Sequence, residues 1–155
     1  MEIKLYFGKE YNMYIKEIKI SNFRNFRDAS VPFHEGVNVI IGHNNTGKSN
    51  LLRAIGLVLG YSDGRRLGTC DLFYETDVVT LQQQSPRIKI TLIFHRSQGE
   101  ALDSAEMGLF SGMMTDPALS EEAKLRYEFK LADDQEDNYK ADVAGVTTAK
   151  EIWKI

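Results

Sequence analysis

Gly42-His43-Asn44-Asn45-Thr46-Gly47-Lys48-Ser49 is the stretch whose reading decides the fold. It satisfies the phosphate-loop pattern G-x-x-x-x-G-K-[ST] without a substitution. Upstream, Val37, Val39, Ile40 and Ile41 read as a buried strand. Downstream, Leu51, Leu52, Ile55, Val58 and Leu59 recur at helical spacing, and Gly60 is a natural stop. Strand, loop and helix in that order are the context the pattern needs. Gly42 and Gly47 allow backbone torsions and close approaches that a Cβ would obstruct. Backbone N–H groups of residues 44–49 then form an anion nest at a helix N-terminus. Lys48 supplies a mobile cation for β- and γ-phosphates, and the Ser49 hydroxyl suits Mg²⁺. The expected nucleotide-binding residues are Gly42, Asn44, Asn45, Thr46, Gly47, Lys48, Ser49 and Asn50. Chance yields roughly one such match per two hundred chains of this length, so an ordinary glycine turn is the weaker explanation.

Around this motif the composition is that of a soluble globular domain: 155 residues, 43% hydrophobic and 26% charged. No apolar run approaches the ~20 residues of a membrane span, and Met1-Glu2-Ile3-Lys4 begins no signal peptide. A single cysteine, Cys70, excludes an internal disulfide and reads as a small buried hydrophobe. These features point to the cytoplasm. The net charge of −3 conceals an asymmetry: residues 1–96 carry 13 Lys+Arg against 9 Asp+Glu, and residues 97–155 carry 6 against 13. A polyanion would therefore meet the first part, unless the two parts are simply differently charged solvated faces.

Residues 1–12 read as an N-terminal extension, with Ile3, Leu5 and Phe7 alternating as an extra edge strand would. Strand-like alternation is expected near 14–20, 28–34, 88–95 and 125–131, antiparallel and with one wetter face. Asp71-Leu72-Phe73-Tyr74 reads as the start of a short helical turn. Met107, Met113 and Met114 read as gap-fillers. Residues 133–138 read as the acidic turn of a hairpin leading into a strand at 139–143. The expected fold class is α/β, a P-loop NTPase with a mixed sheet and an antiparallel β subdomain, and residues 13–155 form one lobe.

Ile18-Lys19-Ile20-Ser21-Asn22-Phe23-Arg24-Asn25-Phe26, followed by a strand pair and then by residues 39–55, resembles the N-terminal head of ABC-class chromosome and repair ATPases. That group includes RecF, the SMC proteins and the OLD-family nucleases. The pair Asn44-Asn45 is more similar to the OLD type, because Gly commonly stands second in RecF and SMC. The resemblance covers residues 13–96 well and the remainder weakly. It implies ATP with Mg²⁺ as the ligand, a head–head dimer of the complete protein, and DNA as that protein's partner. It also implies that Asn22, Phe23, Arg24 and Asn25 lie near the ribose and base; otherwise Phe23 and Phe26 are core and Arg24 a solvated turn residue. One of Gln82, Gln83 and Gln84 is a weak match to the glutamine that senses Mg²⁺ in such ATPases.

Two elements of that class do not occur here: an apolar strand ending in Asp-Glu, and a loop of the Leu-Ser-Gly-Gly type. No catalytic residue is identified. His34, His43 and His95 share no metal-ligand spacing. The simplest expectation is the first lobe of a head whose catalytic half lies beyond Ile155, inactive on its own. Two alternatives stay open: a stand-alone GTPase or small-molecule kinase, and a non-catalytic partner-binding module. The first lacks an Asn-Lys-x-Asp motif and has only Arg65-Arg66 to suggest a lid.

Overall fold

The structure, a computed structural model, describes residues 3–5, 13–60, 67–96 and 122–152. Its strands are β1 (Ile3–Leu5), β2 (Met13–Phe23), β3 (Phe26–Pro32), β4 (Asn38–Ile40), β5 (Ile88–Arg96) and β6 (Glu122–Phe129). Its α-helices are α1 (Lys48–Val58), α2 (Val78–Gln83), α3 (Glu136–Val143) and α4 (Ala149–Ile152), with 3₁₀ turns at Thr69–Asp71 and Asp133–Gln135.

Period-two alternation builds one four-stranded antiparallel sheet in the order β3-β2-β5-β6. Its register sets Ile18 opposite Leu92 and Ile20 opposite Ile90, so these side chains share one face. On that face Ile18, Ile20, Ile90 and Leu92 are fully buried, together with Phe23 and Ile88. Helix α1 covers them with Leu51, Ala54, Ile55 and Leu57. Lys19, Lys89, Lys124 and Arg126 lie exposed on the same strands, which is the wetter face that alternation implies. The expected α/β fold and the four antiparallel strands are therefore present, with ends shifted by a few residues. Gly60, at φ 75, ends the α1 turn in the left-handed conformation glycine favours.

Three expectations are corrected. The strand before the loop is short and open rather than buried: among the described residues β4 pairs only with β1, and Val37, Val39 and Ile41 are 56%, 44% and 81% exposed. Apolar residues signal burial only where another layer covers them, and among the described residues none covers these. Cys70 is exposed rather than buried, because it sits in the 3₁₀ turn at the surface. Residues 133–143 form a 3₁₀ turn and helix α3, not a hairpin. Glu136 and Asp137 occupy the first turn of α3, where the helix dipole favours negative charge. Tyr139 and Val143, one turn apart, share a face that packs on Leu81 and Ile152. Tyr139 donates its hydroxyl to the Leu81 carbonyl at 2.8 Å.

Residues 97–121, with the three methionines, lie outside the described residues, as do Arg65 and Arg66. Among the described residues no helix is long and apolar enough to cross a membrane.

Candidate functional site

The loop begins where β4 ends and closes at Gly47, the residue capping α1. Gly47 has φ 94, and Asn25 Nδ2 fills the place a Cβ would take. Glycine is required here on both counts. Asn45, at φ 69, is also left-handed. Asn tolerates that conformation better than other residues with a Cβ, which is why Asn can stand at this position without glycine's freedom.

Helix α1 starts without a side-chain cap and without an acidic residue in its first turn. Its first intrahelical bond runs from Leu51 N–H to the Gly47 carbonyl at 2.8 Å. The N–H groups ahead of that bond lack a carbonyl partner within the helix and carry the positive end of its dipole. A small cavity of about 150 Å³ opens there, lined by Asn44, Asn45, Gly47, Lys48, Ser49 and Asn50. That volume suits phosphate groups and falls short of the ~300 Å³ at which pockets for whole ligands begin.

Lys48 is buried and folds back over the loop. Its ammonium donates to the Gly42 carbonyl at 2.6 Å and the His43 carbonyl at 2.5 Å. Thr46 Oγ1 donates to the same His43 carbonyl at 2.9 Å. The cation thus holds the loop closed on its own acceptors, and stronger anionic acceptors can recruit it. Ser49 is exposed at the cavity. Its hydroxyl can supply one oxygen to Mg²⁺, the others coming from phosphates and water. Among the described residues no three His, Cys, Asp or Glu side chains form a metal-holding group.

The Asn22-Phe23-Arg24-Asn25 turn lies against this loop, but not as one surface. Phe23 is fully buried in the core. Arg24 is half-buried rather than solvated, donating to Asp71 and to Asn50. Asn25 faces Gly47 and accepts from Asn50 Nδ2 at 2.7 Å. Asn22 is exposed and, like Arg24, has positive φ, 55 and 52 respectively. Gln82 is engaged elsewhere: its amide donates to the Val143 and Val146 carbonyls at the end of α3.

Asp71 is the residue that sequence reasoning missed. It was legible as part of a helical turn and of a loose likeness of Asp71-Leu72-Phe73 and the strand after it to the OLD pattern, with no role assigned. Yet it is 2% exposed and paired with Arg24 at 2.8 Å and Arg53 at 3.4 Å. Burial pushes its carboxyl pKa up, but the Gly68 N–H and the two guanidiniums outweigh that and hold it below the usual value. An aspartate some twenty residues beyond the loop, with two arginines to match it, leaves no periodic signal.

RecF of Streptococcus suis is 32% identical over 88 residues, covering 57% of this chain and 22% of that protein. RecF of Caldanaerobacter subterraneus is 56% identical over 46 residues, 30% of this chain and 13% of the relative. The chain thus spans about a fifth or less of the length of these relatives. A solved structure from work on ATP-driven dimerization and DNA-stimulated activation of SMC ATPases covers 76% of this chain and 63% of its own. It shares 21% identity with a TM-score of 0.50, a likeness of fold. The AAA ATPase domain family matches residues 13–151, and with its RecF/SMC-type head fold the chain belongs to that family.

Proposed function

We propose that this chain is the ATP-binding N-terminal lobe of a RecF-like or OLD-like DNA-processing ATPase, serving DNA repair or anti-phage defence in the cytoplasm. One observation carries the reading: a buried Lys48 folded over a glycine loop, beside a helix N-terminus left without cap or acidic residue. In a chain of the AAA ATPase family, that arrangement suits the β- and γ-phosphates of ATP, with Ser49 toward Mg²⁺. The pair Asn44-Asn45 favours the OLD-like variant. Asn22, exposed at the turn beside the loop, suits the ribose and base, while the Asn25 side chain is committed to Asn50 and Gly47.

Hydrolysis needs a group that orients water and charge that reaches the γ-phosphate from the far side. The chain has no apolar strand ending in Asp-Glu and no Leu-Ser-Gly-Gly-type loop. Turnover therefore belongs to a complete head, through a dimer in which a second copy closes over the nucleotide. DNA meets that assembly, with Lys19, Arg27, Arg65 and Arg66 as candidate phosphate contacts, whereas Arg24 is already engaged by Asp71 and Asn50.

Titrating the 155-residue chain with Mg-ATP and Mg-GTP, and following phosphate release, tests this. Binding that favours ATP, with release no faster than a buffer control, is expected. Robust hydrolysis by this chain, or preference for GTP, would overturn it.

A further inference from the structure

A chain of polar contacts joins the phosphate loop to Asp71, a residue outside the phosphate site itself. Asp71 Oδ1 accepts from Arg24 Nε at 2.8 Å and pairs with Arg24 Nη2 at the same distance. The third nitrogen of that guanidinium, Nη1, donates to Asn50 Oδ1 at 2.8 Å. Asn50 Nδ2 in turn donates to Asn25 Oδ1 at 2.7 Å. Asn25 Nδ2 then occupies the space beside Gly47. Every nitrogen of Arg24 is engaged, so the planar guanidinium fixes the direction from Asp71 to Asn50.

The backbone braces the same junction. Arg24 N–H donates to the Asp71 carbonyl at 2.8 Å, Phe73 N–H to the Asn22 carbonyl at 3.1 Å, and Tyr74 N–H to the Arg24 carbonyl at 3.2 Å. These bonds hold Asn22 and Arg24 at positive φ, a conformation that residues with a Cβ adopt only when their surroundings enforce it. Arg53, on α1, reaches the same carboxylate oxygen, and its buried Nε has no partner among the described residues. Asp71 is therefore the anion on which both α1 and the 22–25 turn converge.

We propose that Asp71 is a positioning residue for the phosphate loop: acting through Arg24, Asn50 and Asn25, it holds the wall on which Gly47 and the first turn of α1 rest. Nucleotide affinity then depends on a carboxylate that does not touch the nucleotide. The inference rests on residues 42–49 being a nucleotide site. A purely local role, pinning the 3₁₀ turn through the Gly68 N–H at 3.1 Å, would confine the effect of Asp71 to residues 67–74 and its arginines.

The test uses the 155-residue chain with Asp71→Asn, Asn25→Ala and the double variant. Calorimetric Mg-ATP titration and ¹⁵N–¹H spectra of the ligand-free proteins are recorded for each. In Asp71→Asn the new side-chain amide would present a donor to groups that are themselves donors. Each single variant is expected to weaken Mg-ATP about tenfold, and the double variant no more than the weaker single, because both cut one chain of contacts. The spectrum of Asp71→Asn should move the Gly47 amide and the Asn25 and Asn50 side-chain amides. Should Asp71→Asn not fold, Arg24→Lys keeps the charge, removes the link to Asn50, and must move the same resonances. Unmoved resonances at Gly47, unchanged affinity, or losses that multiply would overturn the proposal while the wild type still binds. A wild type that binds no Mg-ATP would bring down the nucleotide reading itself, and this inference with it.

Discussion

The two flanks of the phosphate loop are built differently. On the far side, α1 buries Leu51, Ala54, Ile55 and Leu57 against the four-stranded sheet, and Arg53 ties it to Asp71. On the near side, β4 is three residues long and among the described residues pairs only with β1, with Val37, Val39 and Ile41 open to solvent. Both flanks are similarly apolar in sequence. The difference teaches that the loop in this chain is held by its helix and by the 22–25 turn, and hardly by its strand.

Paired substitutions sharpen that contrast. Leu51→Ala on the helix flank should have the largest effect, destabilising the fold by about 2–5 kcal/mol because the site is packed against the sheet. Chemical denaturation measures it, and a loss near zero would mean that α1 does not anchor the loop. Gly47→Ala should come next, at about 1–3 kcal/mol from a Cβ forced into positive φ, with a further weakening of nucleotide binding because the new methyl group displaces Asn25. Equal stability and affinity would remove the reason for glycine at the junction.

A smaller effect concerns pH. The folded pKa of Asp71 lies below its ordinary value, so its ionised form stabilises the fold fully above the unfolded pKa of about 3.9. That contribution fades as pH falls through the lower folded value. Melting curves from about pH 6 down to about pH 2 should therefore show a steeper acid decline in the wild type than in Asp71→Asn. Parallel curves would mean that the ion pairs at Asp71 add nothing. Smallest of all, Val39→Thr on the strand flank should change stability by no more than about 0.5 kcal/mol. A loss as large as that of Leu51→Ala would show that β4 is covered after all.

Much of this was legible because it is local. The loop pattern, the helical stripe after it and the alternation of β2 and β5 are short-range signals, and each stands where expected. The acidic run at 133–138 misled because charge clusters suit a turn and a helix N-terminus alike. The register of Tyr139 and Val143 against Leu81 decides between them, and that contact crosses some sixty residues. Burial at β4 could not be read for a related reason: whether Val39 is covered depends on what lies beside it, not on its neighbours in the chain. Asp71 was invisible as a site residue because its meaning lies in Arg24 and Arg53, from two other elements.

The most direct measurement is a calorimetric titration of Mg-ATP into the wild-type chain and into Lys48→Ala. Among the described residues Lys48 donates to loop oxygens only, so its truncation should leave the circular dichroism spectrum intact. Binding by the wild type and its loss in the variant are the expected pair of results. Unchanged affinity in Lys48→Ala would contradict the assignment of residues 42–49 as the phosphate site.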